Sequence, residues 1–146
     1  MDFQQTTAFI FSKISTGFKV ELERELKVFD LHAGQIFILF ELWKTDGISQ
    51  IELAVNLKIS PPTVNKMVKS LSKNGFVISA DSPQDGRVSL IYLTPRGAAI
   101  RPQVEEVWQK LEEKLTSNLT TTEQLVLTQL FDKIVVNLSG VDNNGK

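Results

Sequence analysis

From Leu57 to Phe76 the chain reads LKISPPTVNKMVKSLSKNGF, and on a helical repeat its polar and apolar residues separate. Thr63, Asn65, Lys66, Lys69, Ser70 and Lys73 fall on one side; Val64, Met67, Val68 and Leu71 fall on the other. The polar side offers amide, hydroxyl and ammonium groups and no carboxylate. Such a face donates hydrogen bonds to phosphates and base edges without repelling a polyanion. Other chemistries are poorly supplied. The chain has no cysteine and one histidine, His32, which removes thiol catalysis, disulfides and thiolate metal sites and makes a histidine-rich zinc site or a Ser-His-Asp triad hard to build. It has no Gly-rich phosphate loop and no cluster of carboxylates. We therefore expect no enzyme, no catalytic residue, no cofactor and no metal.

The charge distribution suits the same face. A formal net charge of −1 argues nothing for nucleic acid by itself. Between residues 58 and 101, however, Lys58, Lys66, Lys69, Lys73, Arg87, Arg96 and Arg101 meet only Asp81 and Asp85, whereas the segments before and after are net acidic. A basic segment on an acidic body is the electrostatic footprint of a nucleic-acid face.

Caps and turns define the elements that must hold this face. Ser60 is placed as an N-cap with Pro61 and Pro62 in the opening helical positions, where a missing N–H would have been unpaired anyway. Ahead of it, Ser49-Gln50-Ile51-Glu52 has capping-box spacing and opens a helix that ends at Leu57. Ile51, Leu53, Ala54 and Leu57 are expected to pack against the second helix, while Ser49 and Gln50 stand at a helix N-terminus, where a phosphate is favoured. Asn74-Gly75 stops the second helix. Two stretches rich in β-branched and aromatic residues follow, Phe76 to Ala80 and Arg87 to Thr94, joined by the polar loop Asp81 to Gly86. Ile48 could add one short strand residue beside them. Helix, turn, helix and a two-stranded wing make a winged helix-turn-helix, so the fold class is mainly α with a small β-wing.

LKISPPTVNKMVKSLSKNGFV, the tip Asp85-Gly86-Arg87 and the run Leu93-Thr94-Pro95-Arg96-Gly97 together resemble the MarR family of transcriptional regulators, over nearly the whole chain. An Asp-x-Arg wing tip followed by Leu-Thr-x-x-Gly is the most specific part. The resemblance implies a sequence-specific regulator of transcription, a homodimer that binds a pseudo-palindromic operator in double-stranded DNA and acts as a repressor modulated by a small ligand. It implies DNA-binding roles for Ser49, Gln50, Ser60, Pro62, Thr63, Asn65, Lys66 and Lys69, with the helix from Ser60 onward in a major groove. It also implies that Arg87 enters the flanking minor groove, held by Asp85. Pro61 stands where many relatives carry a polar or basic residue, and a lysine replaces the arginine usual near Lys66, so no target sequence carries over. Some members sense oxidants through cysteine, a route closed to this chain.

The flanks are apolar in excess. Phe3, Ile10, Phe11, Ile14, Phe18, Leu22 and Leu26 step at helical spacing, predicting one long helix from Phe3 to about Val28 with more apolar face than a small winged helix can cover. Gly34 to Thr45 predicts a helix apolar nearly all round and hence central. After the wing, Pro95 suits a first helical turn, and a long helix should carry Val104, Val107, Trp108, Leu111 and Leu115, with Pro102 kinking it or resetting its start. Thr120 and Glu123 repeat the capping-box spacing ahead of a last helix with Leu127, Leu130, Phe131, Ile134, Val135 and Leu138.

By resemblance, residues 1–30 and 97–138 are dimerisation helices around a winged helix at 34–94, all in one domain over 1–146, with 139–146 a frayed tail. The family commonly binds small anionic or aromatic molecules where those regions meet, and Phe11, Phe18, His32, Phe37 and Trp108 are the candidate lining. No stretch approaches a membrane span and MDFQQTT does not read as a secretory signal, so the expected location is the cytoplasm, without membrane partners. A winged helix can also serve as a protein-interaction module; it would then leave duplex DNA unbound, and the basic segment argues against that.

Overall fold

The computed structural model describes residues 1–139. One compact unit covers Met1–Leu111 and a second begins at Glu112. The expected frayed tail lies, apart from Ser139, outside the described residues.

In the first unit α1 (Thr7–Leu26) leads through a short 3-10 turn into α2 (Ala33–Lys44). The helix-turn-helix follows as α3 (Gln50–Leu57) and α4 (Pro61–Lys73), then the wing strands β2 (Val77–Asp81) and β3 (Ser89–Leu93). The expected short strand exists as β1 (Ile48–Ser49), and the sheet order is β1-β3-β2, antiparallel, with Ile48 opposite Ile91 and Ile78 opposite Tyr92. α5 (Pro95–Ala99) and α6 (Arg101–Thr116) come next, and α7 (Thr121–Ser139) lies in the second unit. The core of the first unit is built on Leu22 and Leu26 of α1, Ile36, Ile38, Leu39 and Leu42 of α2, and the apolar side of α4, with Phe76, Ile91 and Val104 closing it. No described helix is long and apolar enough to cross a membrane.

Several boundaries differ from the sequence reading. The expected continuous helix from Phe3 breaks at Thr6, whose backbone is extended and whose hydroxyl accepts from the Phe9 N–H and donates to the Phe3 carbonyl. A side chain that caps from position 6 ends one short turn and starts the next helix, which apolar spacing does not reveal. At the far end Lys27–Phe29 is a 3-10 turn closed by Asp30 in the left-handed region, φ 60°. α2 is less uniformly buried than its composition implies: Phe37 remains 39% exposed, and Phe40 and Trp43 are half-buried. Ile51, expected to pack against α4, is 72% exposed. Leu53 and Ala54 take the inner side of α3, and at 100° per residue Ile51 is carried round to the outer side with Val55. β3 starts later than expected because Arg87 and Val88 belong to the turn, and β2 is shifted one residue along from the expected Phe76 to Ala80. Pro102 resets the helix: the chain pauses at Ile100 between α5 and α6, and Pro102 then occupies the first turn of α6, where it displaces no hydrogen bond.

Candidate nucleic-acid interface

The polar side of α4 is set by its own first turn. Ser60 is the N-cap, with Pro61 and Pro62 following, and the Ser60 Oγ accepts from the Thr63 N–H at 3.3 Å and bonds the Thr63 hydroxyl at 2.8 Å. Thr63 is therefore oriented before any ligand arrives. Val64, Val68 and Leu71 are buried, which fixes the helix rotation and turns Pro62, Thr63, Lys66 and Lys69 outward. Asn65 is half-buried. Ser70, assigned by spacing to the polar side, instead accepts a 2.8 Å bond from Gln35 Nε2 of α2; Gln35 is a buried polar side chain, and Ser70 satisfies it.

Both halves of the capping box on α3 are present: Glu52 N–H donates to Ser49 Oγ and Ser49 N–H donates to Glu52, each at 3.1 Å. Ser49 is thus engaged in the cap, while Gln50 opens the helix beside it, half-buried. Between α3 and α4, Lys58 takes the left-handed conformation, φ 54°, which makes the turn tight.

At the wing tip Asp85 holds Arg87 by both ends. The Arg87 Nε and Nη2 donate to Asp85 Oδ1 and Oδ2 at 3.1 and 3.3 Å, and the Arg87 backbone N–H donates to Oδ1 at 3.0 Å. The Arg87 side chain is nonetheless 91% exposed. These bonds, from the side chain first and the backbone amide second, hold the Asp85 carboxyl below its ordinary value. A planar cation is thereby held out into solvent, pre-oriented and available.

Three of the residues considered for a ligand come together. Phe18 and Phe37 both meet Trp108 edge to face, at 5.5 and 6.1 Å between ring centres, and Phe40 joins them at 5.2 Å. Phe11 is an exposed residue of α1. His32 is elsewhere, at the N-cap of α2, with Nδ1 3.1 Å from Glu23 Oε2. Glu23 Oε1 accepts from the Ala33 N–H at 2.8 Å, so a carboxylate from α1 caps α2. Burial pushes the Glu23 carboxyl up, but the Ala33 N–H, His32 and Lys19 together outweigh it and leave the group below its ordinary value. Two open clefts flank this pair. One of about 440 Å³ is lined by Lys19, Glu23, His32, Gln35, Thr63 and Lys66 among others, and one of about 510 Å³ by Glu23, Arg24, Lys27, Asp30, His32 and Asn74 among others.

Sequence reasoning missed Glu23 and Lys19, because neither a cap supplied from another helix nor a cleft wall leaves a local pattern. In the sequence Arg96 belongs to the basic segment and to the Leu-Thr-x-x-Gly run, with no partner legible. The structure shows it donating to the Asn74 carbonyl at 2.6 Å.

Residues 31–89 match the MarR family model. Over 115 residues the chain is 32% identical to the multiple antibiotic resistance protein MarR of Salmonella typhimurium, covering 78% of this chain and 80% of that protein. The chain belongs to the MarR family. Another similar member is the HTH-type transcriptional repressor IacR of Pseudomonas putida, 25% identical over 127 residues, 87% of this chain and 76% of that one. Among solved structures, a mutant MarR from E. coli complexed with operator DNA superposes with a TM-score of 0.82 at 27% identity, covering 92% of this chain and 98% of that chain. Membership makes the α3–α4 pair and the β2–β3 hairpin the DNA-binding winged helix of a MarR family transcriptional regulator.

Proposed function

We propose that the protein is a homodimeric, sequence-specific repressor that acts in the cytoplasm on a pseudo-palindromic operator and is released by a small ligand. The observation that carries the reading is the carboxylate-free exposed side of α4, joined through the wing to an arginine held out in solvent by its neighbouring aspartate. Thr63, Asn65, Lys66 and Lys69 read base edges in the major groove, with Ser60 and Pro62 at the helix opening. Ser49 and Gln50 meet a phosphate at the N-terminus of α3, and Arg87 enters the minor groove beside the half-site, kept in place by Asp85.

Apolar side chains left uncovered support the dimer. Ile10 and Ile14 of α1 are 50% and 47% exposed, and no residue of α7 is buried, Leu125 and Leu130 being 63% and 49% exposed. Uncovered aliphatic area of this kind is the mark of an interaction surface, and residues 1–30 and 97–138 are proposed to bury it in a second copy. A two-fold dimer then reads half-sites about 34–36 Å apart. The cleft walled by Lys19 and Lys66 supports ligand control, since an anion there would occupy side chains of the recognition helix itself. The aromatic group of Phe18, Phe37 and Trp108 supplies the apolar surface an aromatic ligand would need.

The test is selection from random duplexes at about 150 mM salt, where non-specific phosphate binding is weak. Recovery of a pseudo-palindrome with half-sites one turn apart supports the operator reading. Recovery of no preferred sequence removes it in favour of a protein-interaction winged helix.

A further inference from the structure

The Leu93-Thr94-Pro95-Arg96-Gly97 run lies outside the DNA-facing set, yet one of its side chains joins three separate elements. We infer that Arg96 is a positioning residue that fixes the angle of α4 against the α1–α2 corner and so sets which half-site separation a dimer accepts; this rests on the operator reading above.

Arg96 Nη1 donates to the carbonyl of Asn74, the C-cap of α4, at 2.6 Å. Its Nη2 lies 3.5 Å from Asp30 Oδ2, and the guanidinium covers the face of fully buried Phe76 at 4.4 Å. Asn74 Nδ2 in turn donates to the Asp30 carbonyl at 3.3 Å, closing a triangle. Asp30 is the left-handed residue at which the chain turns from α1 towards α2. Thr94 secures the base of the junction, its Oγ1 donating to the Gly75 carbonyl at 2.6 Å and its N–H to the Phe76 carbonyl at 3.1 Å. Trp43 of α2 donates to the Gly97 carbonyl at 3.0 Å. A guanidinium can stack on a ring and donate along two in-plane directions at once, which an ammonium cannot do.

The geometry gives this junction leverage. It clamps α4 at its C-terminal end, whereas Thr63 is near the other end and Lys66 at mid-helix. A helix of 13 residues is about 20 Å long at ~1.5 Å per residue. A tilt of roughly 10° at the Asn74 end therefore moves the Ser60 end by about 3 Å, close to the ~3.4 Å rise of one base pair. Released, the recognition helix would tolerate operators one base pair too long or too short.

The experiment measures dissociation constants of the full chain for its selected palindrome and for versions with the spacer changed by one base pair, alongside thermal melting. Arg96→Met keeps most of the side-chain bulk and removes the fork. The wild type should discriminate between spacers by about tenfold or more, and Arg96→Met by no more than about threefold. Asp30→Asn keeps a residue type that tolerates the left-handed conformation and should relax discrimination in the same direction, with the double variant no worse than Arg96→Met alone. Equal loss of affinity for every spacer, with discrimination intact in both variants, would mean that Arg96 only stabilises the fold and overturns this inference alone. A wild type indifferent to spacer overturns this inference alone, whereas a selection that recovers no palindrome overturns the operator reading and this inference together.

Discussion

Arg87 and Asp85 form an ion pair whose proposed role is in recognition and not in stability. Both lie at the surface, where such pairs are worth little, so the value of the bond is in orienting a cation that stays 91% exposed. Arg87→Ala should leave thermal melting nearly unchanged and weaken operator binding, flattening the salt dependence by roughly one unit of slope per lost contact, about two per dimer. An unchanged slope and affinity would remove Arg87 from the interface. The depressed carboxyl of Asp85 keeps the pair ionised throughout the neutral range, because its contribution disappears only as pH falls through that lowered value. Glu23 follows the same sign. Its folded-state carboxyl lies below the ordinary glutamate value, so the stability it contributes is present above the ordinary carboxylate range and is lost as the medium acidifies through the lowered value. Acid titration of melting temperature should therefore fall less steeply in Glu23→Gln than in wild type, and identical profiles would contradict the cap described for α2.

At the scale of elements, α5 meets the root of the wing by close backbone approach at Gly97. A Cβ added at Gly97 would lie 2.0 Å from the Phe76 carbonyl oxygen and 3.1 Å from Leu93 Cδ2. The nearer atom is backbone at the root of the wing and cannot rotate aside. Gly97→Ala should thus destabilise by roughly 1–3 kcal/mol, read as a melting temperature lower by several degrees, with the wing displaced from α5. A melting temperature equal to wild type would show that α5 can shift without cost.

For the whole molecule the question is what covers the flanking helices. Leu130 is 49% exposed on α7. Glutamate there leaves a monomer little changed but would put a charge into the dimer interface proposed above. If the proposed dimer forms through α7, Leu130→Glu should sediment as a monomer at concentrations where wild type sediments as the larger species. Its operator affinity should drop by about 100-fold or more as the two half-sites lose their linkage. A Leu130→Glu dimer that still binds the operator would place the partner surface elsewhere.

Much of this protein is written in local pattern. Ser49 with Glu52, Ser60 with two prolines, and Thr120 with Glu123 mark the starts of α3, α4 and α7 because capping bonds span only three residues. The inner side of α4 and the Asp85–Arg87 tip were readable for the same reason. Tertiary structure alone decided which member of an apolar set is covered: Leu53 is buried and Ile51 exposed on one short helix, and Phe37 stays at the surface of an otherwise central one. It also decided every bond between distant segments: Glu23 capping α2, Gln35 meeting Ser70, and Arg96 joining Asp30 to Asn74. Periodicity orders residues around one axis, while burial and long-range bonds depend on how several axes pack, which no single stretch encodes.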